Sequence, residues 1–188
     1  MSELALRATW RDYLEMCKPR VVVLMLLCAV VGMILATPGT VPLDLVLSAS
    51  LGIALVAGSA AVVNHVADQH IDAKMARTES RPVATGRVTN SQAIIFAALT
   101  GMLGIALLWF LVNPLTAWLN LASWVGYGLI YTLYLKRATP QNIVIGGAAG
   151  ALPPVIGWTI STNSLSIEPL TFFLIIFFWT PSHFWALS

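Results

Sequence analysis

"LDLVLSASLGIALVAGSAAVVNHVADQHIDAKMARTESRP", Leu43 to Pro82, changes character part-way along. As far as Val66 it carries one charge, Asp44, and is long enough to cross a bilayer core, which takes about 20 apolar residues. From Asn64 onward it gathers Asp68, Asp72, His65, His70, Lys74, Arg77 and Arg81. An oily run that ends in acids and cations reads as a membrane helix with a polar site at its mouth. Acids at the end of a span point to function before they point to packing.

The rest of the chain supports that class. Of its 188 residues 58% are hydrophobic and only 10% charged, and the mean hydropathy is +0.83. These values exclude an ordinary soluble domain, which could not bury several helices apolar on every side. The expected fold is all-α, a polytopic transmembrane helical bundle. We read about six spans, near 20–37, 43–66, 91–112, 115–135, 142–162 and 169–188, within one membrane domain over 1–188. Small-residue stretches, "AGSAA" at 57–61 and "GGAAGA" at 146–151, suit close helix approach. Pro153 and Pro154 interrupt the fifth span and are expected to line a cavity inside the bundle.

Charge placement orients the bundle. Arg7, Arg11, Lys18 and Arg20 precede the first span; Lys74, Arg77, Arg81 and Arg87 follow the second; Lys136 and Arg137 follow the fourth. The intervening loops carry no Lys or Arg, so the N-terminus and all three basic segments belong in the cytoplasm. Glu3, Asp12 and Glu15 argue against a mitochondrial transit peptide, which makes a bacterial inner membrane the expected home. Cys17 and Cys28 read as small buried apolar residues. The sixth span reaches Ser188 with no basic tail, so the chain has the appearance of one cut short. Spans two, four and six bring Asn64–Asp72, Tyr131–Pro140 and Trp179–Trp185 to one membrane face. Trp179 and Trp185 there read as interfacial belt residues.

Asn64, Asp68 and Asp72 are spaced four and four, which stacks three oxygen-bearing side chains on one helix face. Carboxylates so placed repel, and a positive partner must offset them. Lys74, Arg77 and Arg81 are the local candidates; a hard divalent cation such as Mg²⁺ suits the same oxygens. Carboxylates holding Mg²⁺ beside Arg and Lys form a receptor for a diphosphate, and beside a greasy bundle its tail would be a long hydrocarbon. The competing account is a solvated loop closing a salt-bridge network. His65 and His70 read as helix-face histidines with interfacial partners.

"NHVADQHID" followed by "AKMARTESRP" resembles the first aspartate-rich motif of the UbiA superfamily of membrane prenyltransferases. "YLKRATPQNIVIGGAAGALPPVIGW" (134–158) and "FFWTPSHFWAL" (177–187) resemble its protohaem IX farnesyltransferase branch, and the likeness runs from Lys18 onward. That resemblance implies nine helices, of which six are here, and a site between two acidic motifs on the cytoplasmic side. It implies transfer of a farnesyl group from Mg²⁺-bound farnesyl diphosphate to a vinyl group of protohaem IX (haem B). Water is taken up, and the product is haem O for terminal oxidases. Haem is then substrate, Mg²⁺ the cofactor, and the bilayer, haem A synthase or oxidase assembly factors the partners; no nucleic acid is expected.

Carried onto this chain, the resemblance gives Asp68 and Asp72 the metal, with Asn64 helping, and Arg77 and Arg81 the phosphate oxygens. Lys74, Lys136 and Arg137 join as further diphosphate contacts. His183 has two readings, a haem contact or a helix-end histidine packed among aromatics. The second acidic region and three later spans of the family are not in this sequence, so the 188-residue chain alone is expected to be inactive. Other readings are a UbiA-type enzyme acting on an aromatic quinone precursor, an inactive fragment, and a cation transporter. The transporter leaves the flanking Arg and Lys unexplained.

Overall fold

Apolar segments in lipid have only their own backbone to bond with, and helices meet that demand. The computed structural model describes residues 8–139 and 141–186, and every regular element there is helical. In chain order these are α1 (Trp10–Met16), α2 (Pro19–Ala36), α3 (Leu43–Asp72), α4 (Asn90–Leu111) and α5 (Pro114–Trp124). A π-helical segment (Val125–Leu135) continues α5; then come the single turn α6 (Lys136–Ala138), α7 (Asn142–Ala151), α8 (Pro153–Thr162) and α9 (Ile167–Trp185).

Local chemistry sets most of the starts. Proline, which lacks the N–H a first turn cannot use, opens α2, α5 and α8. Thr89 caps α4 in a reciprocal box with Gln92. Asn113 caps α5 by accepting from the Thr116 amide at 2.8 Å, and its own amide reaches the Thr159 carbonyl of α8 at 2.9 Å.

Five helical stretches are long and apolar enough to span a membrane: Pro19–Ala36, Leu43–Asp72, Asn90–Leu111, Asn142–Thr162 and Ile167–Trp185. The expected fourth span, 115–135, is helical throughout but changes pitch at Val125. Gly126 and Gly128 loosen the α-helix there. The Thr132 hydroxyl donates five residues back, to the Tyr127 carbonyl at 2.8 Å. The second span also differs from its expected end at 66. Its helix runs on to Asp72, because nothing from Val66 to Ile71 breaks it and the polar turn is held by neighbouring elements.

The main pairings are α3 along α4 and α2 along α8. Pro153 and Pro154 are buried inside the bundle with Val155, Ile156 and Gly157, and the Pro154 backbone lies against α2 at Gly32. The proline break starts α8 afresh and lets its backbone come very close to α2 at Gly32 and Gly157. Side chains such as Leu27 and Ile34 on α2, Leu99 and Met102 on α4, and Phe178 on α9 stay exposed on the outer surface, as lipid-facing residues do. Cys17 and Cys28 are free and half-buried.

At the polar end a second apolar cluster joins α1 to the rest. Met16 is fully buried there with Val62, Val83, Val88 and Ala93. Asp12 folds back as the cap of its own helix, accepting from the Thr9 amide at 2.8 Å and the Thr9 hydroxyl at 2.7 Å. Those bonds to Thr9 first, and the Arg87 guanidinium after them, hold the Asp12 carboxyl below the usual carboxylate range. A carboxyl lowered on folding adds stability above its unfolded value of about 3.9, and that share is lost as pH falls through the folded value. Wild type should therefore melt above Asp12→Asn at neutral pH in detergent, with the gap closing below about pH 4. Melting curves recorded across that range check it.

Candidate functional site

Helix α3 supplies the platform. Asn64, Asp68 and Asp72 lie one turn apart on the same face, and all three are buried, Asp68 to 1% exposure. A solvated loop is therefore not what this stretch forms. Four cations reach the polar end near it from elsewhere in the chain, and three of them touch the acidic face directly.

Lys136, at the start of α6, places Nζ 2.7 Å from Asp68 Oδ2. Asn64 Nδ2 donates to the same oxygen at 2.8 Å. Arg81, on the turn-rich segment after α3, sets Nη1 2.6 Å from Asp72 Oδ2. Lys18, in the elbow between α1 and α2, donates from Nζ to Asn64 Oδ1 at 2.5 Å. Arg87 is the fourth; it bonds to Asp12 rather than to the α3 face.

The salt-bridge network anticipated as the plain alternative thus exists, but it is incomplete. Asp68 Oδ1 and His65 Nδ1 are buried and have no hydrogen-bond partner among the described residues. A buried carboxylate oxygen facing no donor costs free energy, which a hydrogen-bond donor or a bound cation would relieve. That orphaned oxygen, with the neighbouring amide and Asp72 carboxylate, fits a hard divalent ion. Among the described residues no group of three or more His, Cys, Asp and Glu side chains gathers as a metal site. Asn64, Asp68 and Asp72 would accordingly supply part of a coordination sphere, with ligand oxygens filling the remainder.

Of the residues singled out in the sequence, the structure brings Asn64, Asp68, Asp72, Arg81 and Lys136 together. Lys74 and Arg77 are exposed on the segment after α3 and make none of these contacts. The Arg137 side chain lies outside the described residues, as do Arg7, Pro140 and Leu187 of the quoted motifs. His183 is exposed near the end of α9, its ring stacked on Trp179 with centroids 4.1 Å apart. His70 is exposed, whereas His65 is buried under the acidic face.

Lys18 was counted in the sequence only as a topology marker, and the structure makes it part of the site. Its backbone is left-handed, φ 51°, which turns the chain between α1 and α2 and aims the side chain inward. Burial, then the nearby Arg81, push its ammonium down to about 8, against the pull of Asp68. It stays mostly protonated at neutral pH. The signal available in the sequence was a lysine directly before Pro19, the residue that opens α2.

The profile of the UbiA prenyltransferase family matches residues 25–188. The chain belongs to the UbiA prenyltransferase family. A relative called "Protoheme IX farnesyltransferase" from Saccharophagus degradans is 60% identical over 181 residues, covering 96% of this chain and 60% of that protein. "Protoheme IX farnesyltransferase 1" from Pseudomonas fluorescens is 60% identical over 188 residues, 100% of this chain and 63% of the relative. A "Protoheme IX farnesyltransferase" from Shewanella oneidensis is 56% identical over 187 residues, 100% of this chain and 62% of that one. The chain thus spans about three fifths of the length of the curated relatives it matches. Among solved structures, a UbiA homolog from Archaeoglobus fulgidus bound to GPP and Mg²⁺ superposes with a TM-score of 0.72 at 18% identity. The match covers 92% of this chain and 62% of that one, and it shows that the UbiA bundle is shared.

Proposed function

We propose that this chain is the greater part of a protohaem IX farnesyltransferase, and that its α3 face is the metal-diphosphate half of the active site. The observation that carries the reading is the buried Asp68 Oδ1, without a partner among the described residues, in a cluster that already holds Lys18, Arg81 and Lys136. The names borne by relatives at about 60% identity support the substrate assignment. Asp68, Asp72 and Asn64 would hold Mg²⁺, and the chemistry it would supply is neutralisation of charge on a diphosphate leaving group.

The chain's own residues do the remaining work. Asp68 and Asp72 present carboxylates, and Asn64, oriented by Lys18, turns its carbonyl and amide into the same line. Lys136 and Arg81, which pair with Asp68 and Asp72, stand beside the acidic face where they would meet phosphate oxygens. Arg77 and Lys74 follow at the same end and extend the positive rim; Arg137 is a further diphosphate contact on the sequence resemblance alone. Positive charge held at the diphosphate favours breaking the allylic C–O bond, because that is where negative charge grows. A C–C bond then forms to the haem vinyl carbon, and water, losing one proton, supplies the hydroxyl of the product. The vinyl group is a neutral π nucleophile, so no strong base is required. His183, exposed beside Trp179 at the end of α9, is available to contact haem. The basic segments support a cytoplasmic-facing site, and the reading puts the bundle in a bacterial inner membrane.

The test joins this chain to the C-terminal remainder of the Saccharophagus degradans relative and supplies membranes with farnesyl diphosphate and haem. Mass spectrometry should find haem enlarged by the elements of farnesol. Prenylation of an added aromatic acid in place of haem would assign the site to quinone-precursor chemistry instead.

A further inference from the structure

Arg87 has no place in the site just described, yet it is among the most heavily bonded side chains at the polar end. Its guanidinium sets Nη1 2.5 Å from Asp12 Oδ1, donates from Nη2 to the Ser80 carbonyl at 2.6 Å, and from Nε to Thr85 Oγ1 at 3.1 Å. The first contact crosses 75 positions in sequence and lands on a carboxylate only 4% exposed. The second lands on the residue next to Arg81.

What lies on either side gives the contact its meaning. Residues 73–89 contain no regular helix; they are a succession of turns, with amide bonds from Thr78 and Glu79 to Met75, Arg81 to Thr78, and Thr85 to Arg81. Such a segment has little stiffness of its own. Yet it must hold Arg81 against Asp72 at 2.6 Å. On the other side, α1 is a helix of only seven residues, and it ends at the elbow that aims Lys18 at Asn64. Each of these weak elements delivers one cation to the acidic face, and the Asp12–Arg87 pair ties them together. Met16 from α1 packs with Val83 and Val88 from the turn segment beneath that tie.

We propose that Arg87, through Asp12 and the Ser80 carbonyl, is a positioning residue that latches α1 to the 73–89 segment and so sets both Arg81 and Lys18 for a metal-bound diphosphate. The value of the latch for binding rests on the proposed function; the latch itself does not. Among the described contacts Arg87 bonds to neither Asp68 nor Asp72 of α3. Its guanidinium is suited to the task because one planar group reaches a carboxylate, a carbonyl and a hydroxyl at once, which a lysine ammonium does poorly.

The test uses the 188-residue chain in detergent with two readouts. Hydrogen exchange is followed at the amides of Thr78, Glu79, Arg81 and Thr85 and at the α1–α2 elbow, and calorimetry follows inorganic diphosphate with Mg²⁺. In Arg87→Met, exchange at both places should rise together by about tenfold, while α4 and α8 keep wild-type protection. Diphosphate affinity should fall about fivefold, and Arg87→Lys should recover part of both losses. Unchanged exchange at either place, or a rise spread evenly over all helices, overturns the latch. Confined loosening with wild-type affinity overturns the positioning role. If the wild-type chain takes no diphosphate, the proposed function fails while exchange alone still decides the latch. Should Arg87→Met not fold, Arg87→Lys carries the same comparison with a smaller change.

Discussion

Alanine at Gly157 should drive α2 and α8 apart and cost more than about 3 kcal/mol, the upper end for overpacking a well-packed interior. A Cβ there would lie 1.9 Å from the Ala29 carbonyl oxygen, 2.8 Å from its carbon and 3.0 Å from the Met33 nitrogen. All three are backbone atoms, so no side chain can swing away. The arrangement is reciprocal, since a Cβ on Gly32 would meet the Pro154 carbonyl oxygen at 2.2 Å. Contact this close is how helices associate where lipid offers little hydrophobic drive. The separation would also strain the Ser161 hydroxyl bond to the Met33 carbonyl, 3.2 Å long. Thermal unfolding in detergent checks the cost, with Gly150→Ala as the control. Among the described residues no neighbouring atom lies within 4 Å of a Cβ on Gly150, and that variant should melt at or slightly above the wild type.

Loss of the Asp68 charge should abolish metal-dependent diphosphate binding, a fall of at least about a hundredfold, as expected for a direct metal ligand. Asp68→Asn keeps the shape, and the amide still fits between Asn64 and Lys136, so the bundle should stay folded. Asp72→Asn should cost less. Its carboxylate is already neutralised by Arg81, and freeing Arg81 hands a cation to the phosphate as a partial offset. Calorimetry of the two variants with Mg²⁺ and inorganic diphosphate gives the order, and a circular dichroism spectrum confirms that helicity is retained.

Much of this was readable in the residues because it follows from local periods. Runs of apolar residues anticipated five of the helices long and apolar enough to span a membrane, and the four-residue spacing put Asn64, Asp68 and Asp72 on one face. What escaped depended on partners far away in sequence. Lys18 joins the site across 46 positions, through a left-handed elbow that no periodicity announces. The Asp12–Arg87 tie spans 75. The π segment from Val125 was invisible for a different reason, since an apolar run looks the same at either pitch. Pro153 and Pro154 read as a break, and α8 does start afresh at Pro153. Proline reports where a helix restarts, whereas Gly32 and Gly157 decide what the restarted helix packs against.

The central claim is that the α3 face takes a diphosphate through a divalent metal. Its most direct test is a titration of the purified wild-type chain, in lipid nanodiscs, with farnesyl diphosphate in the presence of Mg²⁺ and again after chelation. The account predicts saturable binding with Mg²⁺ that disappears when the metal is removed. Equal affinity with and without metal would contradict it.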